Sequence, residues 1–201
     1  MAITRERFDE VRKRWGAYSS WAVWHSIGPE DKPKAHAGDI TSLDPDKKPS
    51  LLSLLNPDVV LLGLNAATRP IPPEPWSNFH DSRAVANDFK IRFALADSPY
   101  AGAYMTDVLV GLHETDSNKV ATYMRANPTI LTAQIERLEE ELNDIGATNP
   151  LLIAFGGAAH KALREHLGHK YRIVKVTHYV HRIKKEQYRE GALAAIAAGS
   201  S

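Results

Sequence analysis

The chain has 201 residues, 43% of them hydrophobic and 24% charged, with a net charge of +1 and no cysteine. That balance suits one folded domain with a single core and excludes a disordered chain. The lack of cysteine excludes disulfides, thiolate nucleophiles, cysteine-based zinc sites and cysteine-ligated iron–sulfur clusters. The near-zero charge excludes a protein that coats nucleic acid over its whole surface. No apolar run approaches the ~20 residues that span a bilayer, and the first residues lack the pattern of a signal peptide. No membrane partner and a cytoplasmic location are the expectations.

Residues 4–26 are predicted as an amphipathic helix, because Phe8, Val11, Trp15 and Tyr18 recur at helical spacing and Trp21 and Trp24 extend the stripe. Residues 28–50 carry Pro29, Pro33, Pro45 and Pro49 among charges and read as an exposed connection. The run DVVLLGLN, residues 58–65, has the continuous apolar character of a buried parallel strand. A proline-rich loop, 66–82, leads to a helix predicted over 83–96. A second strand, AYMTDVLV (103–110), is followed by a loop and a helix over 129–145. Leu131, Ile135, Leu138, Leu142 and Ile145 form its apolar face, and Gly146 ends it. The third strand, LLIAF (151–155), runs through Gly156 and Gly157 into a helix over 158–167. The fourth, YRIVKV (171–176), precedes a closing helix over 184–198.

Strands alternating with helices predict an α/β fold of three layers, with a central, mostly parallel four-stranded sheet. There is no internal repeat and no dividing linker. Residues 1–201 are read as one domain, with the helix and proline-rich segment of 1–50 packed on a core spanning 51–198.

In a parallel sheet all strand ends share one edge, where ligands bind. That edge would gather Asn65, Asp107, the Gly156-Gly157 step and His178, with Trp76, Ser77, Asn78, Phe79, His80 and Asp81 from the first loop. Amide, carboxylate, imidazole and aromatic faces together suit a planar polar ring such as a nucleobase. Residues 182–189 add Arg182, Lys184, Lys185 and Arg189 against a single Glu186. His178, His181 and His160 lack an accompanying carboxylate cluster, so no metal is expected. No Gly-x-Ser-x-Gly elbow is present.

The order of these motifs carries a resemblance. LLGLNAATRP resembles the first motif of the uracil-DNA glycosylase superfamily, in the style of its mismatch-specific and single-strand-selective branches. YMTDVL resembles the central strand, LLIAFGGAAHKAL the strand–glycine–helix step, and VTHYVHR the second catalytic motif. Together they cover roughly residues 55–195. The resemblance implies a uracil-DNA glycosylase-like fold and hydrolysis of the N-glycosidic bond of a damaged or non-standard base, without a cofactor. Asn65 would position the attacking water and His178 would donate to the departing base. Phe79, or Trp76, would stack on the base, Asp107 would read its edge, and Gly63 belongs to the same base-binding motif. His181, Arg182, Lys184 and Lys185 would hold DNA phosphates. The implied partner is DNA, single- or double-stranded, with a flipped base; no obligate protein partner is implied.

Three positions depart from the family pattern: Ala66 and Tyr179 stand where proline is usual, and Asp107 where asparagine is usual. An ionised carboxylate only accepts hydrogen bonds, so Asp107 favours a base edge that presents donors. Other roles stay open for the same residues. Asn65 fits a tight turn, Asp107 a structural pairing, and the cations a solvated helix face. The rival readings are a non-catalytic nucleotide- or DNA-binding module on the same fold, or a hydrolase of free nucleosides.

Overall fold

The computed structural model describes residues 3–66, 74–83 and 85–199. Part of the expected proline-rich loop, residues 67–73, lies outside the described residues, as does Ala84 in the helix expected from 83. Helix α1 (Arg5–Trp15) opens on Thr4, whose Oγ1 accepts from the Arg7 N–H at 3.2 Å. A two-residue strand β1 (Ser20–Trp21), a 3₁₀ turn (Ile40–Leu43) and a short α2 (Leu51–Leu54) precede β2 (Asn56–Asn65). Then come α3 (Phe89–Leu95), β3 (Ala103–Leu109), α4 (Ser117–Ala126), α5 (Pro128–Asp144), β4 (Leu151–Phe155), α6 (Gly156–Leu167), β5 (Arg172–Val176) and α7 (Lys185–Gly199). No helix among the described residues is long and apolar enough to cross a membrane.

The strands form one sheet in the order β1-β3-β2-β4-β5. The neighbours from β3 to β5 are parallel, whereas β1 runs antiparallel to β3, with Ser20 opposite Met105 and Trp21 opposite Tyr104. The fold is therefore α/β with a five-stranded mixed sheet, which corrects the four-stranded expectation. It also corrects the helix over 4–26, which ends at Trp15. Residues 19–24 are buried on every side, a pattern that apolar residues every third position do not distinguish from one buried helix face. A two-residue strand is too short to show a period of its own.

Side chains alternate across the sheet, as the strand period of two requires. Val60, Leu62, Tyr104 and Leu152 join a core with Phe8, Trp15, Leu138, Leu142 and Leu163, contributed by α1, α5 and α6. Leu61, Met105, Ile153 and Val174 join a second core with Ile91, Ala192 and Ile196, contributed by α3 and α7. Helix α4 lay unseen in the sequence because Val120 is its single buried hydrophobic residue among those described; Asp116 caps it, accepting from the Asn118 N–H at 2.9 Å.

One polar network crosses the first core. Glu141 of α5 is fully buried and accepts from Tyr104 Oη at 2.6 Å, while its other oxygen pairs with Arg137. Burial raises the Glu141 carboxyl above its ordinary value, against the opposing Arg137 charge. Arg137 Nη2 also donates to the carbonyls of Asp107 (2.8 Å) and Val108 (3.2 Å), tying α5 to the end of β3. Breaking a buried pair from one side costs about 3–5 kcal/mol. Arg137→Met is therefore expected to lower unfolding stability by that order in urea titrations, with most of it recovered in Arg137→Met/Glu141→Leu. An unchanged single variant would show that Glu141 needs no counter-charge.

Candidate active site

The parallel strands deliver their C-terminal ends to one edge, and a cavity of about 230 Å³ opens there. Asn65, Phe79, Asp107 and His178 all line it, together with Asn78, Tyr179 and residues of the 81–88 segment. These four predicted residues come from β2, the loop beyond it, β3 and the loop after β5. The volume is small beside the ~300–1,000 Å³ of drug-sized sites and has room for about one planar ring.

Asn65 ends β2, and its Nδ2 donates to the carbonyls of Leu112 (3.1 Å) and Glu114 (2.8 Å). The amide thus anchors the loop after β3 rather than closing a turn after its own strand. With both amide hydrogens engaged, the function left for Asn65 to present is the acceptor Oδ1.

Asp107 lies opposite Gly63 in the β2–β3 ladder and is 4% exposed. Its Oδ2 accepts from Asn78 Nδ2 at 3.2 Å. Asn78 is itself fixed, donating to Tyr18 O at 2.6 Å and accepting from the Phe79 N–H at 3.1 Å. Gly63 stays out of the cavity wall, and its role differs from the base contact expected of it. A Cβ there would stand 2.1 Å from Asp107 Oδ1, so the missing side chain is the space the carboxylate occupies.

Phe79 and Trp76 part company. Both take the left-handed backbone (φ 62 and 73) on either side of Asn78. Phe79 is buried with the α3–α7 core while lining the cavity. Trp76 turns into the other core, against Phe8, Trp21 and Tyr104, with ring centroids 5.6–6.5 Å away. It is an anchor of the loop, and the expectation of Trp76 as an alternative stacking platform is corrected on that ground.

His178 packs on Tyr179 (centroids 4.6 Å) and on Phe155 (6.0 Å), which themselves meet edge to face at 5.0 Å. Tyr179 thus wedges an aromatic ring between His178 and Phe155. Gly156 makes the tight step from β4 into α6 with φ 86, and a Cβ there would lie 3.6 Å from His178 Cβ. Burial, with a smaller push from His181, lowers the imidazole to about 4. The ring is therefore neutral at ordinary pH. Nδ1 accepts from the Val180 N–H at 3.3 Å, which leaves the proton on Nε2.

No family model and no curated protein matches the chain.

The predicted phosphate contacts lie outside the cavity. His181, Arg182 and Lys184 are exposed on the loop beside it, and the His181 carbonyl accepts from Lys90 Nζ of α3 at 2.6 Å. Lys185 begins α7 and pairs with Glu186. Among the described residues no three His, Asp or Glu side chains group as metal ligands. Sequence reading named Asn78 at this edge without giving it a role, and passed over Asp88, Arg83 and Val180. Asp88 is 3% exposed and accepts from the Asp81 N–H at 2.8 Å, Arg83 pairs with Asp81 at 2.9 Å, and Val180 is 54% exposed at the cavity. The one signal available for Asp88 and Arg83 was their position in a strand-end loop; Val180 lies within the VTHYVHR stretch but carries no role there.

Two outcomes follow from this geometry. In long-range proton–nitrogen NMR spectra, His178 is expected to remain neutral and Nε2-protonated through pH 5 and to titrate near 4. A midpoint near the ordinary histidine value of ~6.5 would show that the ring is solvated. Gly63→Ala is expected to destabilise the fold by about 1–3 kcal/mol through overpacking, and Asp107→Ala in the same chain should relieve much of it, a coupling measured by a double-mutant cycle. Simple additivity would show that the carboxylate does not occupy that space.

Proposed function

We propose that the protein hydrolyses the N-glycosidic bond of a damaged or non-standard base in DNA, with water as nucleophile, in base-excision repair. The observation that carries this reading is the meeting of Asn65, Asp107, Phe79 and a neutral His178 on one ring-sized cavity at the C-terminal sheet edge.

The chemistry sets what the site must do. As the bond breaks, the sugar becomes cationic and the base anionic, so a donor aimed at the base gains strength in the transition state. Nε2 of His178 is such a donor. Asn65 Oδ1 accepts from the attacking water and orients it. The ring of Phe79 is the wall on which the base stacks, and Asp107 accepts from N–H groups on its edge. A base reaches such a cavity only by leaving the helix stack. The exposed Val180 beside the cavity suits the apolar wedge that holds the gap it leaves. Arg182 and Lys184, exposed on the same loop, meet the phosphates around the flipped nucleotide. The uracil-DNA glycosylase-like resemblance supports the same assignment of roles. A cavity with room for one ring favours a base presented on a strand, whose sugar and phosphates stay outside, over a whole free nucleoside.

The test is a base-release assay on single- and double-stranded oligonucleotides carrying uracil, hypoxanthine, xanthine or mismatched thymine. One base is expected to be released, and His178→Ala to slow release about 10²–10³-fold, as for other lost transition-state donors. Asn65→Ala should reduce it at least as far, and Asp107→Asn should shift preference toward edges that offer an acceptor. Silence on every substrate, with base or DNA binding retained, would overturn the hydrolase and leave a binding module.

A further inference from the structure

A second, larger cavity of about 780 Å³ lies between the segment after β1 and helix α3. It falls within the range of ligand sites, and the reaction proposed above makes no use of it. One wall is a face of α3, with Phe89, Arg92 and Phe93 at helical spacing; Trp24 stands in the wall formed by the segment after β1, and Lys48 and Lys185 also line it. The two cavities adjoin across the start of α3: Asp88 lines the strand-end cavity and Phe89 the larger one.

The charges of this groove point to an anion. Lys48 is half-buried, and burial alone pushes its ammonium below the ordinary value, with no carboxylate acting against it. A desolvated cation without a counter-charge is unfavourable, and a bound anion relieves it. Lys185 Nζ lies 3.9 Å from the centroid of the Phe93 ring, and Lys34 Nζ lies 5.4 Å from that of Phe89. Both rings are partly exposed, and cations on such ring faces are weakly held, as is the surface pairing of Lys185 with Glu186. Lys185 can swing to a phosphate and uncover one face of Phe93, a ring that Arg189 also approaches at 5.9 Å. Arg92, by contrast, is committed to the carbonyls of Ala35 (2.8 Å) and Pro33 (2.7 Å), and so holds the outer segment against α3. The acids in the wall are Asp31, which accepts from the Gly28 N–H at 2.7 Å, and Asp97 beyond the far end of α3.

We propose that this groove holds a single-stranded stretch of nucleic acid, with bases stacked on Phe89 and Phe93 and phosphates on Lys48 and Lys185. It rests on the reading that a nucleotide of the same strand delivers its base to the adjoining cavity. Aromatic faces with cations beside them form a platform for unpaired bases. A duplex keeps its base faces covered and gains nothing from them.

Fluorescence anisotropy tests the proposal with a labelled, undamaged single strand of about 8 nucleotides, in the range of such sites. An abasic strand of the same length, the matching duplex and a mononucleotide complete the set. The wild-type protein is expected to bind the single strand more tightly than the duplex or the mononucleotide. Lys48→Gln should weaken binding and lower the slope of log affinity on log salt by about 0.7, with Lys48→Arg restoring it. Phe93→Ala should weaken the undamaged strand about 10-fold, within the range of a lost stacking contact, and leave the abasic strand unchanged. Thermal melts of each variant separate lost binding from lost folding.

Equal affinity for strand and duplex would overturn the proposal, as would variants that bind like the wild type. A mononucleotide bound as tightly as the strand would overturn it in favour of a small-molecule site. Undamaged DNA offers no excisable base, so variant-sensitive strand binding without any base release would overturn the hydrolase alone. Base release with strand binding indifferent to Lys48 and Phe93 would overturn the groove alone.

Discussion

The carboxylate of Asp107 is the constraint around which the strand-end edge is arranged. Every residue of β3 is buried, and an acidic side chain taken into such a setting needs room and donors. Room comes from Gly63 on the neighbouring strand, where a methyl group would collide with Oδ1. Asn78 supplies a donor to Oδ2 at 3.2 Å, and Arg137 holds the carbonyl of the same residue at 2.8 Å. Arg137 is at the same time the partner of buried Glu141, so the Glu141 carboxylate and the backbone of Asp107 share one support. Displacing α5 would move both.

The loop that brings Asn78 to this place is held by two aromatic anchors on opposite sides of the sheet. Trp76 is sunk in the core of α1, α5 and α6, and Phe79 in that of α3 and α7. The chain cannot drive consecutive anchors into opposite cores without a sharp reversal, and both residues take left-handed backbone angles, φ 73 and 62. Each such angle costs of order 1–3 kcal/mol, an amount matched by the roughly 1.5–3 kcal/mol from burying a large apolar side chain. The anchors therefore hold the strain, and Asn78 between them has little freedom to leave Asp107. The same arrangement turns Phe79 toward the cavity and takes Trp76 away from it.

How much of this was legible in the sequence follows from what periodicity can encode. Strands β2, β3 and β4 were readable because largely buried strands are continuous apolar runs, β5 from its Ile173, Val174 and Val176, and the face of α5 because Ile135, Leu138, Leu142 and Ile145 repeat at helical spacing. Their order then placed Asn65, Asp107 and His178 at one edge by topology alone. Strand β1 was hidden because Ser20–Trp21 is too short to carry a period, and α4 because it buries little. Trp76 against Phe79 could not be decided from the chain, since three residues apart in a loop says nothing about which core each enters. The role of Gly63 was unreadable for a related reason: it depends on the register that sets it beside Asp107, which no local pattern states.

The placement of charge orders the two ends of the proposed reaction. Inside the cavity the imidazole of His178 is kept neutral by burial between Phe155 and Tyr179, while Arg182 and Lys184 stay on the exposed loop. A cationic group inside would attract phosphate, the most charged part of any nucleic acid, into a space suited to a ring. Arg83, the cation that does line the cavity, is paired with Asp81 at 2.9 Å. With the other cations on the rim, phosphate is held outside and the uncharged base is the part that enters at the smaller desolvation cost. A neutral N–H also binds a neutral base only modestly, and its hydrogen bond strengthens as negative charge develops on the departing ring. The gain then falls on the transition state rather than on the bound substrate, which is the condition for acceleration rather than mere affinity. The burial that removes the charge from His178 is therefore the same feature that would separate a site for cleaving a base from one that only holds it.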